Sequence, residues 1–130
     1  MDDEPATILL VDDEATLLKL MGAYLRRIGY AVIAVNTVEK AWASLRGGTE
    51  KIAVVVLDAG MAEEGVDNLA LRIFEAHPHL RMVVNSGYPV DMRLLERVAA
   101  GRVMFLHKPF SPDMLVEAVR RMLGSQEKNV

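Results

Sequence analysis

The sequence predicts an α/β domain built on a parallel sheet with helices on both faces, and three observations lead there. Five short apolar, β-branched runs, at residues 7–11, 30–35, 52–57, 81–84 and 103–106, recur at similar intervals and read as strands. Helical patterns fill the intervals, and strands alternating with helices of this length pair in parallel through right-handed crossovers. The third run reads Ala53-Val54-Val55-Val56-Leu57 without polar alternation, as expected of a strand covered on both faces.

Taken in order, the first strand is followed by a helix over 14–28, because Leu17, Leu18, Met21, Leu25 and Ile28 form one apolar stripe and Gly29 stops it. After the second strand, Thr37 is placed to cap a helix holding Val38, Ala41 and Leu45, which runs out at Gly47-Gly48. The third strand leads into a helix over 68–77 that ends before Pro78. A fourth helix is expected from near Pro89, with Met92, Leu95 and Val98 inward and Gly101 as its stop. Ser111-Pro112-Asp113 then supplies a cap oxygen, a proline at the first helical position and a carboxylate at the positive dipole end. The fifth helix follows with the stripe Met114, Leu115, Ala118, Val119, Met122 and Leu123, and residues 124–130 read as a polar tail. Trp42 is expected at a helix edge and the eight methionines as core filler.

A chain of 130 residues, 52% hydrophobic and 25% charged, can close one core, so one domain is expected. The absence of cysteine removes disulfides, thiol nucleophiles and most zinc sites, and suits a reducing cytosol. An acidic start, Met1-Asp2-Asp3-Glu4, gives no expectation of an export signal. The longest aliphatic run, 52–57, is far short of the roughly 20 residues a bilayer demands, so no membrane span is expected. A net charge of −3 argues against a direct nucleic-acid surface, whose affinity comes from clustered Lys and Arg.

In an open parallel sheet, ligands bind beyond the carboxyl ends of the strands. Those ends carry Asp12-Asp13, Asp58, Asn85-Ser86 and His107-Lys108-Pro109. Each signal alone has an ordinary explanation as a cap or a turn; their coincidence at the ends of four strands is what points to chemistry. Three carboxylates in one place repel one another unless a cation sits among them, and Mg2+ suits a few carboxylates plus water and phosphate oxygens. With the ammonium of Lys108 and the hydroxyl of Ser86 nearby, such a site could surround a transferring phosphoryl group, and a carboxylate can be its nucleophile. His77-Pro78-His79 reads as a solvated turn rather than a metal pair.

Leu9-Leu10-Val11-Asp12-Asp13-Glu14, Val55-Val56-Leu57-Asp58 with Met61, Ser86-Gly87-Tyr88 and Lys108-Pro109-Phe110 together resemble the receiver domains of two-component response regulators. The resemblance spans nearly the whole chain. It implies a flavodoxin-like fold with strand order 2-1-3-4-5; a receiver domain over 1–124 with a tail at 125–130 and a cytoplasmic location are expected. It implies that Asp58 accepts a phosphoryl group from a histidine kinase or phosphotransfer domain. Asp13 and Asp58 would then ligate Mg2+ directly, Asp12 through water, and Gly60 through its carbonyl. Ser86 and Lys108 would hold phosphoryl oxygens and Phe105 would occupy an aromatic switch position. Ala62 stands where the family commonly has proline, and Glu63-Glu64-Gly65 differs in glycine spacing.

Output is expected through a face formed by the fourth helix, fifth strand and fifth helix, which would bind an effector or a second copy. Two other readings are a phosphorylation-independent interaction module and a receiver segment of a hybrid histidine kinase. A turnover phosphatase is disfavoured, because such an enzyme needs a general acid beside the nucleophile and Gly60 offers no side chain. The chain is therefore expected to be a phosphoacceptor switch rather than an enzyme.

Overall fold

The computed structural model describes residues 5–47 and 51–127. The acidic start, Gly48 and the end of the expected tail lie outside these residues. In chain order the elements are β1 (Thr7–Val11), α1 (Ala15–Ile28), β2 (Ala31–Val35), α2 (Val38–Arg46) and β3 (Ile52–Asp58). A 3-10 turn (Ala59–Met61) follows, then α3 (Val66–Ala76), β4 (Arg81–Ser86), α4 (Arg93–Val98), β5 (Val103–His107) and α5 (Pro112–Glu127). All strand pairings are parallel, in the order β2-β1-β3-β4-β5, the flavodoxin-like arrangement.

Strand side chains alternate between two apolar layers. Leu9, Val11, Val55, Leu57, Met82 and Val84 pack with residues of α2, α3 and α4. Ile8, Leu10, Val54, Val56, Val83 and Leu106 pack with Met21 and Leu25 of α1 and with Leu115, Val119 and Met122 of α5. The expectation of strands buried on both faces holds for β1 and for most of β3 and β4. It fails at β2 and β5, which are largely half-buried because a sheet edge has a neighbour on one side only.

Helix boundaries follow local chemistry. The Gly29 N–H, at φ 122°, donates to the carbonyls of Leu25 and Arg26 and closes α1. Ile28, expected inward, is 38% exposed. At about 1.5 Å per residue the helix outruns the strand it covers, and its last turn overhangs. Thr37 Oγ1 accepts from Lys40 N at 3.0 Å and caps α2. Helix α3 starts two residues before its expected position, immediately after Gly65 at φ 97°. Helix α4 is six residues long and starts at Arg93 rather than near Pro89. Asp91 sets that start, since its Oδ1 accepts from Arg93 N at 3.0 Å. Ser111 Oγ accepts from Met114 N at 3.2 Å, and α5 continues through Gly124 to Glu127, into the segment read as a polar tail. Val98 and Met114, both expected inward, are about half exposed.

Strands β3, β4 and β5 are longer than their apolar runs. The ladder pairs Asp58 with Asn85, Asn85 with Leu106, and Ser86 with His107. The polar residues expected just after the strands are therefore their last members, which fixes their directions. Half-buried Trp42 packs against the α2/α3/α4 layer, and the Arg72 guanidinium lies 5.5 Å above its ring.

Candidate functional site

Asp12 follows β1 directly and its backbone N–H donates to the Val35 carbonyl, extending the β1/β2 edge by one bond. Its side chain is 1% exposed, and Oδ1 accepts from Glu14 N at 2.9 Å. This local bond is the turn chemistry that an Asp ahead of a helix ordinarily supplies, but it uses only one of the two oxygens. Asp13, the next residue, is exposed. Asp58 ends β3, and its Oδ1 accepts from Gly60 N at 3.1 Å within the 3-10 turn. One carboxylate oxygen from each of Asp12, Asp13 and Asp58 lies within 4.8 Å of the others.

Lys108 faces this cluster from the far side of β4. Its Nζ donates to Asp12 Oδ2 at 3.1 Å and stands 3.5 Å from Asp58 Oδ2. Its backbone N–H donates to the Ser86 carbonyl at 2.8 Å, which ties the loop after β5 to the end of β4, and the Lys108–Pro109 peptide is cis. Burial works against the lysine charge, yet hydrogen bonding and attraction from Asp12, then Asp58, outweigh it and hold the ammonium above its ordinary pKa. One ammonium against three carboxylates leaves a surplus of two negative charges in a small volume. That set of hard oxygen donors with an uncompensated double charge fits a divalent cation such as Mg2+.

Ser86, the last residue of β4, is 2% exposed, and its Oγ accepts from Tyr88 N at 2.9 Å. The hydroxyl is thus engaged with its own loop. Phe105 lies in the α2/α3/α4 layer, on the sheet face opposite Leu106, with the His107 ring edge-on at 6.1 Å. The structure therefore brings Asp12, Asp13, Asp58 and Lys108 together, with Gly60 bonded to Asp58 through its N–H. Ser86 borders them, and Phe105 stands behind Ser86 on its sheet face. His77 and His79 fall between α3 and β4, at the opposite edge of the sheet.

Sequence reasoning placed Asn85 at this edge but gave it no role. It is fully buried, and neither Oδ1 nor Nδ2 has a hydrogen-bond partner. A polar residue closing an otherwise apolar strand was the available signal. Beyond Asp58, Glu64 accepts two hydrogen bonds from Arg72, at 2.8 and 2.9 Å, which anchors the loop to α3.

Comparison with known proteins gives a consistent result. The family model described as "Response regulator receiver domain" matches residues 8–120. The transcriptional regulatory protein GlrR of Escherichia coli is 32% identical over 120 residues, covering 92% of this chain and 26% of that protein. Sensor kinase CckA of Brucella abortus is 30% identical over 122 residues, covering 94% of this chain and 13% of that protein. A solved response regulator from Thermotoga maritima superimposes with a TM-score of 0.77 at 31% identity, covering 92% of this chain and 98% of that one. The chain spans about a quarter of the length of the first curated relatives it matches.

Proposed function

The chain belongs to the response regulator receiver domain family, and on that premise we propose that it is a phosphorylation switch whose Asp58 accepts a phosphoryl group in a Mg2+-dependent site. The supporting observation is the meeting of Asp12, Asp13 and Asp58 oxygens within 4.8 Å, with Lys108 reaching across to both Asp12 and Asp58. Its relatives include response regulators and a sensor kinase, which supports a histidine kinase or phosphotransfer domain as donor and an effector or a second copy as recipient.

In this mechanism an Asp58 carboxylate oxygen attacks the phosphorus of a phosphohistidine. The new P–O bond forms as the P–N bond breaks, and the electron pair returns to the donor imidazole. Gly60 N holds one Asp58 oxygen in place, and Lys108 is positioned to pass from the carboxylates to a phosphoryl oxygen. Asp13 and Asp58 would hold Mg2+ directly, Asp12 through water and Gly60 through its carbonyl. When bound, the ion would offset the negative charge on the phosphoryl oxygens. Ser86 would leave Tyr88 N for a phosphoryl oxygen, and Phe105 would follow it inward, altering the face formed by α4, β5 and α5.

Turnover is not expected. A Cβ at position 60 would lie 3.6 Å from Asp58 Oδ1, so a residue there could act on the nucleophile, and glycine supplies no acid or base. A cytoplasmic setting completes the reading, and the receiver unit takes in α5 to Glu127 rather than ending at 124. The CckA match also leaves room for this unit to be the receiver segment of a hybrid kinase.

The test is labelling with acetyl phosphate and Mg2+. One acid-stable, hydroxylamine-labile phosphoryl group is expected, absent in Asp58→Asn and absent in EDTA. Labelling that survives the substitution would remove Asp58 from its assigned role.

A further inference from the structure

The most unusual polar group near the site is one the mechanism above does not use. Asn85 is 0% exposed, yet its amide oxygen and nitrogen both lack partners among the described residues. A buried amide left in this state is costly, and replacing it with an apolar group of the same shape removes that cost. Its retention at a central strand end needs a reason, and the sheet register supplies one. Asn85 pairs with Asp58 on one side and Leu106 on the other. Strand alternation puts its side chain in the same phase as Val83, on the sheet face where α1 and α5 pack.

Asp58 alternates with Val56 and Val54 of that same layer, so Asp58 and Asn85 are nearest cross-strand neighbours on one face. Lys108 comes from the loop beyond β5 and reaches Asp58 on β3 and Asp12 beyond β1, so its side chain crosses the end of the intervening β4. Asn85 is thus the β4 residue on that face that stands between Asp58 and β5 in the ladder. It brings two unused N–H donors and an unused acceptor.

We propose that Asn85 is a positioning residue for Asp58. Its Nδ2 donates to the Asp58 carboxylate once the site is loaded, and holds the nucleophilic oxygen in line for attack while Lys108 turns to the phosphoryl group. This rests on the reading of Asp58 as phosphoacceptor and adds a residue to it. No covalent step is introduced; the amide fixes the carboxylate plane that Gly60 N alone leaves free to rotate about its single bond.

The experiment uses the whole chain with acetyl phosphate and Mg2+, comparing wild type, Asn85→Leu and Asn85→Thr. Leucine keeps the branched shape without polar atoms, and threonine restores a donor. Asn85→Leu is expected to melt at or above the wild-type temperature while its saturating labelling rate falls about tenfold and beryllofluoride binding weakens by a similar factor, with Asn85→Thr recovering part of both. A labelling rate for Asn85→Leu within twofold of wild type overturns the proposal and leaves Asp58 in its role. Absence of labelling in the wild type overturns both readings. Should Asn85→Leu fail to fold, the wild-type side-chain amide resonance of Asn85 decides: it must shift on addition of Mg2+ and beryllofluoride, and a stationary signal overturns the proposal.

Discussion

Lys108 is the one cation bonded to the acidic cluster among the described residues, and its Nζ is the only side-chain donor to Asp12 Oδ2 recorded there. Replacing it with methionine keeps the stem and leaves a carboxylate that is 1% exposed with only Glu14 N for company. Breaking such a pair is costly, although the partial exposure of Lys108 moderates the loss. In EDTA, Lys108→Met is expected to lose about 1–3 kcal/mol in urea unfolding. Millimolar Mg2+ should restore more stability to the variant than to wild type, because a dication takes over the vacated role; equal Mg2+ stabilisation of both proteins would contradict this. The acidic residues and Lys108 were legible in the sequence because strand ends in a parallel sheet converge on one edge, whatever the packing below. Asn85 was not, because its isolation depends on how α1 and α5 close over the sheet, which no local pattern encodes. The same holds for Ser86, whose bond to Tyr88 N is set by the turn geometry.

At the scale of elements, the strands were legible from their apolar runs, but their ends were not. Hydrogen bonding carried β3 to Asp58, β4 to Ser86 and β5 to His107, because pairing continues as long as the neighbouring backbone is in register, regardless of side-chain polarity. Helix starts were missed where a residue other than the expected one set them. Asp91, five residues after the end of β4, accepts the N–H of Arg93 at the start of α4, and the apolar spacing of Met92, Leu95 and Val98 gave no sign of it. Helix α3 begins where Gly65 takes φ 97° and ψ 142°, a region that side chains strongly disfavour, with nothing within 4 Å of a Cβ placed there. Any penalty is thus backbone strain rather than collision. Gly65→Ala is expected to cost about 1–3 kcal/mol of unfolding free energy. A loss below about 0.5 kcal/mol in the same urea titration would mean that the loop relaxes into an ordinary conformation.

For the whole molecule, the order β2-β1-β3-β4-β5 puts the site at the centre of one sheet edge and the proposed output face at the side bounded by β5. Val98 on α4 and Met114 on α5 remain about half exposed there, available to a partner. A phosphoryl group can shift an equilibrium only through unequal affinity for two states, so beryllofluoride with Mg2+ should change self-association or effector binding measured by sedimentation, and Val98→Asp should abolish the change. Identical sedimentation with and without the mimic would remove this face as the output.

The loop that follows Asp58 has a second attachment, through Glu64 to Arg72, and Arg72 in turn rests on Trp42, the only tryptophan in the chain. Displacement of Glu64 would drag the guanidinium across the indole and alter its ultraviolet emission. Trp42 emission is thus expected to change when beryllofluoride and Mg2+ are added, a gauge of the Asp58 loop readable without any added dye.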